Sequence, residues 1–227
     1  TNRLHRVMRD SSPEPTAAAI ETNAHEAIGR AIDADAATAR CAANQIAGDR
    51  VLTLSRSGTV LDALRQADPT PSVIVATSQP GGEGVGVAEA LASAGLDVTL
   101  LPDAAVATTL AAGSVDAVLV GTDTVGPSGA VVNKVGTRST ALAAARENIP
   151  FYAAGAVDKV SVEDPPSATE EADPQTVYDG PDDIQISAPR FDETPPDLVT
   201  GGLITERGTH TPDAISGLVE ELKQLRA

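Results

Sequence analysis

The sequence predicts an α/β fold: a Rossmann-like parallel sheet with helices on both faces and a short N-terminal helical segment. Three observations predict it. Five short apolar runs, Val51–Ser55, Val73–Thr77, Val98–Leu101, Ala117–Gly121 and Phe151–Ala154, are continuous rather than alternating, as strands buried on both faces are. Segments with helical spacing lie between them, bounded by turn residues. Aromatic residues are only 2% of the 227, so the core must be built from Ala, Val, Leu and Ile, which suits close packing of helices on a sheet.

Taken in order, Ser12-Pro13-Glu14-Pro15 opens an Ala-rich segment over about 14–47. Its apolar positions Ile20, Ala24, Ala27, Ile28, Ala31 and Ile32 recur every three or four residues, the mark of an amphipathic helix, with a break expected near Asp33–Asp35. Helical patterns follow at Thr59–Gln66, Gly84–Ala94, Ala104–Ala112 and Arg138–Glu147. Residues 160–197 differ: Glu163, Asp164, Glu170, Glu171, Asp173, Asp179, Asp182 and Asp183 succeed one another with no Lys or Arg between them, amid prolines. They predict an exposed loop with a solvated acidic face. Leu198–Thr205 returns a final strand, and Pro212–Leu225 has a helical pattern with Thr211 as its N-cap. The chain thus divides into a helical segment, 1–48, and a Rossmann-like domain, 49–227.

The charge narrows the function. Sixteen Lys and Arg against 32 Asp and Glu leave a net charge of −16. Such a surface repels phosphate backbones and anionic lipid, which argues against DNA and membranes as partners. No run approaches a membrane span, and the basic stretch Thr1–Arg9 lacks the apolar core of a signal peptide. A lone Cys41 excludes an internal disulfide and fits a reducing cytoplasm. Only Lys134, Lys159 and Lys223 are lysines. An acidic, Lys-poor surface self-repels in dilute buffer and is screened near 1 M salt, where the Debye length is about 3 Å. The composition therefore predicts a halophilic, haloarchaeal protein.

Ligands in such sheets bind at the carboxyl ends of the strands, here Ser55–Gly58, Thr77–Gly84, Leu101–Asp103 and Gly121–Lys134. In the first loop Gly58 permits a tight turn, and free amides at the following helix start offer an anion site. Ser55 or Ser57 would need a base to act as nucleophile, and none of the three histidines lies in these loops. The Gly82, Gly84 and Gly86 series follows a later strand and makes no phosphate-loop or dinucleotide fingerprint. The fourth loop is richest: Asp123 at a strand end can move a proton, Lys134 supplies charge, and Gly136 and Thr137 supply a helix N-terminus.

Together these strings resemble a known family. Gly121-Thr122-Asp123, Gly129, Asn133-Lys134-Val135-Gly136-Thr137 and Ile149-Pro150-Phe151-Tyr152 are similar to the family of the alpha, beta and delta subunits of translation initiation factor 2B. Two related enzymes are aldose–ketose isomerases of methylthioribose-1-phosphate and ribose-1,5-bisphosphate. Asp103-Ala104-Ala105-Val106, Phe191-Asp192-Glu193-Thr194-Pro195 and Leu203-Ile204-Thr205-Glu206-Arg207-Gly208 fit the same resemblance. It implies a catalytic Asp at Asp123 and, where the isomerases carry a catalytic Cys, a serine at Ser55. In the second loop the isomerase pattern Glu-Thr-Arg-Pro-x-x-Gln-Gly becomes Thr77-Ser78-Gln79-Pro80-Gly81-Gly82-Glu83-Gly84, so Gln79 replaces a cation and Glu83 replaces an amide. Ser-Gln-Pro with Asp-Ala-Ala-Val is closest to the alpha subunit.

The resemblance then implies a non-catalytic regulatory protein of translation initiation, without cofactor or metal. It would form a homodimer, and its partner would be translation initiation factor 2 or a related family subunit. The ligand it senses would be a sugar phosphate or nucleotide, held by Arg56, Ser57, Gly58, Gln79, Glu83, Asn133, Lys134, Gly136 and Thr137. The alternative is a sugar-phosphate aldose–ketose isomerase in which Asp123 and Ser55 are catalytic.

Overall fold

A computed structural model describes residues 16–164, 170–181 and 183–226. The basic stretch Thr1–Arg9, the Ser12–Pro15 opening and Asp182 lie outside them. Helix α1 (Ala17–Gln45) leads into β1 (Arg50–Thr53), α2 (Gly58–Gln66), β2 (Ser72–Ala76), α3 (Glu83–Ser93) and β3 (Val98–Leu101). Then come α4 (Val106–Ala111), β4 (Ala117–Gly121), β5 (Thr124–Val125), β6 (Val131–Lys134), α5 (Thr137–Arg146) and β7 (Phe151–Ala154). The chain closes with β8 (Phe191–Thr194), β9 (Gly202–Thr205), β10 (Gly208–His210) and α6 (Ile215–Arg226).

The seven-stranded sheet has the order β10-β9-β7-β4-β1-β2-β3. All its pairings are parallel except the edge hairpin of β9 and β10. The chain runs outward from β1 through β2 to β3, then crosses back to β4 on the other side. The point between β1 and β4 is therefore where the connections diverge to opposite faces, and where open α/β sheets form their crevice.

Strand burial shows why continuous apolar runs were needed. Leu52, Ile74, Val118 and Val120 enter one core with Val106, Leu110, Ala141, Ala144, Ile215 and Leu222 from α4, α5 and α6. The intervening Val51, Val73, Val75 and Leu119 enter the other, with Val60, Leu64, Val87 and Leu91 from α2 and α3. Ala39, Ala42, Ala43 and Ile46 at the end of α1 join this second core, so the N-terminal helix is anchored by its last turns.

Two expectations are corrected. Helix α1 does not break at Asp33–Asp35 but runs through them as 29 residues. Alanine dominates around both aspartates, and its helix propensity outweighs two poor formers. The second correction is a separate three-stranded antiparallel sheet, β5-β6-β8, formed from segments read as loops. Asn133 stands opposite Asp192 and Lys134 opposite Phe191. Among the described residues no helix is long and apolar enough to cross a membrane.

The edge hairpin carries a titratable group. His210 shares a 2.9 Å hydrogen bond with the Thr205 hydroxyl. Burial, and next the Arg207 guanidinium, hold its pKa below the ordinary 6.5. The unfolded chain then binds this proton more readily, so the stability contributed by neutral His210 is lost as pH falls through the window below 6.5. Urea midpoints measured from pH 7 to pH 5 should fall, and His210→Gln should flatten the part of that slope nearest 6.5. An unchanged slope would remove His210 as its source.

Candidate active site

The crevice between β1 and β4 holds a cleft of about 510 Å³. Ser55, Arg56, Ser57, Gly58 and Thr59 form one wall; Thr122, Asp123, Asn133 and Lys134 form the opposite one, and Glu83, Lys159, Arg190 and Phe191 complete it. Asp35 of α1 and Asp62 of α2 also line it. Among the described lining residues, Asp35, Asp62, Glu83 and Asp123 balance Arg56, Lys134, Lys159 and Arg190, four charges against four.

The first wall is set by local backbone. Ser55 has φ 65°, a left-handed conformation that non-glycine residues adopt only when the surroundings enforce it. Its N–H donates to the Ser78 hydroxyl at 2.6 Å, and that hydroxyl donates to the Ala76 carbonyl at 3.0 Å. Asp103 fixes Ser78 in turn, accepting from the N–H groups of Ser78 and Gln79, each at 2.7 Å, and from the Thr77 hydroxyl at 3.2 Å. One carboxylate therefore ties the loops after β1, β2 and β3 together. Ser57 caps α2 by accepting from the Val60 N–H at 3.4 Å, leaving the first amides of that helix beside Arg56. A Cβ built on Gly121 would sit 2.6 Å from the Ser57 Cβ. Glycine at the end of β4 is what lets the two walls approach.

Asp123 stands just past β4, its N–H donating to the Val132 carbonyl at 2.9 Å. Desolvation raises its carboxyl above the ordinary 3.8, and Lys159 and Arg190 oppose that rise. The side chain remains open to the water of the cleft, so desolvation is partial. Lys159 is oriented by donating to the Thr122 carbonyl at 2.6 Å. This places a carboxyl able to exchange a proton next to a fixed ammonium.

The sequence-read ligand residues divide in two. Ser55, Arg56, Ser57, Gly58, Glu83, Asp123, Asn133 and Lys134 converge on the cleft. Gln79, Gly136 and Thr137 do not line it, which corrects their reading as pocket residues. Gln79 faces a separate groove beside Val135, held there by Asp103. The helix N-terminus at Gly136 is already occupied: Asp192 of β8 accepts from the Gly136 N–H at 2.8 Å and the Arg138 N–H at 3.1 Å. The Thr137 hydroxyl donates to the Lys134 carbonyl at 2.6 Å and accepts from the Asn133 amide at 2.9 Å. Sequence reasoning missed Lys159 and Arg190. Lys159 had a signal, as one of only three lysines; Arg190 precedes β8 at the end of an acidic loop and had none.

Comparison with known proteins places this arrangement. Residues 1–212 match the initiation factor 2 subunit family. A methylthioribose-1-phosphate isomerase of Gemmatimonas aurantiaca is 41% identical over 128 residues, 54% of this chain and 36% of that protein. One of Albidiferax ferrireducens is 36% identical over 170 residues, 69% of this chain and 48% of that protein. The chain thus spans about a third to a half of the length of these curated relatives. Among solved structures, the translation initiation factor eIF-2B of Pyrococcus horikoshii OT3 superposes with a TM-score of 0.80 at 29% identity, covering 93% of this chain and 76% of that one. The expectation of a non-catalytic regulator of translation initiation is corrected by the curated relatives, which carry the name of an enzyme. The cleft keeps other cations in reach, and Gln79 never enters it.

Proposed function

The chain belongs to the initiation factor 2 subunit family, and on that premise we propose that it is a sugar-phosphate aldose–ketose isomerase, with methylthioribose-1-phosphate its first candidate substrate and ribose-1,5-bisphosphate the second. The observation that carries this reading is the placement of Asp123 across the cleft from the Ser55–Thr59 loop, with Lys159 and Arg190 lining the same cleft.

The reaction needs little else. The C1–O bond of the furanose ring opens as its ring oxygen gains a proton, C2 loses a proton, and after electron rearrangement the C2 hydroxyl becomes a ketone while C1 gains a proton. No atom is gained or lost. Asp123 exchanges the carbon-bound proton, and Lys159 steadies negative charge that builds beside it. Arg56 and the first amides of α2 meet the phosphate from one wall of the cleft and Lys134 from the other. The Ser55 hydroxyl hydrogen-bonds the ring oxygen rather than exchanging protons as a thiol would, since its pKa is far above the roughly 8.5 of free Cys. The assembly proposed with this activity is a homodimer, working in a high-salt cytoplasm as its acidic surface suggests.

Proton NMR of each substrate in molar KCl tests the reading. The expected result is growth of the ketose C1 methylene signal with wild-type protein. Ser55→Cys, tested alongside, should match or exceed it. Silence from the wild type on both substrates overturns the proposal.

A further inference from the structure

The sequence offers Lys134 as the charge that would greet an anion, yet in the folded protein it is already engaged. Its side chain is 5% exposed, and its ammonium donates to the Pro80 carbonyl and to Glu83 Oε1, the latter at 2.9 Å. Glu83 comes from the first turn of α3, 51 residues away in sequence. Its carboxylate lies over Gly81, where a built Cβ would meet Oε1 at 2.9 Å. The bond is only half a solution. Oε2 is buried with no protein hydrogen-bond partner, and a buried acceptor left so costs free energy that a better-satisfied arrangement would recover. Glu83 is also the partner that solvent reaches, its side chain being 34% exposed against 5% for Lys134.

We propose that Glu83 is an anion-specificity residue of this cleft: its carboxylate occupies the anion position on Lys134, and a phosphate dianion binds there by displacing it. The proposal rests on the isomerase reading for the identity of the natural ligand, but not for the competition itself. A phosphate carries three acceptor oxygens where Glu83 commits one, so the exchange replaces a half-satisfied contact with a fuller one. While Glu83 stays in place the cleft is formally neutral, and weak or singly charged anions lack the energy to evict it. The residue thus sets a threshold, admitting ligands that bring two charges and rejecting small carboxylates.

Titration calorimetry with inorganic phosphate as probe tests this, on the full chain in 0.2 and 2 M KCl. Glu83→Gln keeps the side chain's shape and removes its charge. It should bind phosphate about tenfold more tightly than wild type, the effect of one charge-assisted hydrogen bond. In a Lys134→Met background the same substitution should change phosphate affinity by less than twofold. Acetate should bind detectably to Glu83→Gln and not to wild type. Unchanged or weaker phosphate binding by Glu83→Gln overturns the proposal, as does an equal gain without Lys134. Turnover measured on the same samples separates the two readings. The phosphate gain without isomerase activity leaves the competition standing and removes the substrate; activity without the gain does the reverse.

Discussion

Asp123→Asn should abolish isomerase turnover, lowering kcat by about 10²–10⁴-fold with little change in KM. The substitution keeps the size of the side chain and its place at the end of β4, where the backbone N–H of residue 123 is held by Val132. It removes the one function an amide cannot perform, taking and returning a proton. Neighbouring groups offer no substitute. Lys159 is committed to the Thr122 carbonyl at 2.6 Å. The pH profile gives a second readout. Burial places the Asp123 carboxyl above 3.8, against the pull of Lys159 and Arg190, so the acid limb of kcat/KM should lie above that value. It should vanish in any residual activity of Asp123→Asn. Retention of full activity by the variant would remove Asp123 from the chemistry.

Gly84→Ala should be the most damaging single methyl group that can be added to this protein near its cleft. A Cβ on Gly84 would lie 1.8 Å from the Ala76 carbonyl oxygen and 2.9 Å from its carbon. Both are backbone atoms of β2, with no rotamer by which to withdraw. The helix can make room only by lifting its first turn off the strand, which breaks the 3.1 Å bond from the Gly84 N–H to the Thr77 carbonyl. It also shifts Ser78, whose hydroxyl is 3.1 Å from the same built Cβ and supports Ser55. Such overpacking costs about 2–3 kcal/mol. Gly86, two residues further on and exposed on the same helix, supplies the control, with nothing within 4 Å of its built Cβ. Gly86→Ala should instead stabilise by about 0.5–1 kcal/mol through helix propensity. Urea unfolding of both variants should therefore move in opposite directions. Destabilisation of equal size in both would mean that generic helix effects, rather than the approach of α3 to β2, govern this segment.

These three glycines show how far the sequence could be read. Their spacing after a strand is visible in the chain, and so is the absence of a dinucleotide fingerprint. Their separate roles are not. Gly82 takes a left-handed conformation at the helix start, with φ 71°. Gly84 meets a backbone, and Gly86 meets nothing. Strands β1, β2, β4 and β7 were legible because burial on both faces demands unbroken apolar runs. The edge strand β3 was legible because its run Val98–Leu101 has the same pattern, although Thr99 and Leu100 are exposed. The small sheet was not legible, since β5 has two residues and β6 carries Asn133 and Lys134, which read as polar loop.

The sequence by itself determined the parallel sheet, the strand-end position of the cleft, and most of the side chains on its walls. Each follows from local pattern plus the rule that chains cross over between parallel strands. Only the tertiary structure decided how those side chains are spent. It brought Asp192 across 54 or more residues to fill the helix N-terminus at Gly136 and Arg138. It set Glu83 on Lys134, turned Gln79 away, and delivered Lys159 and Arg190 beside Asp123. The reason is physical: a charged group's availability depends on what it already binds, and those partners are chosen by packing between segments that sequence patterns treat as independent.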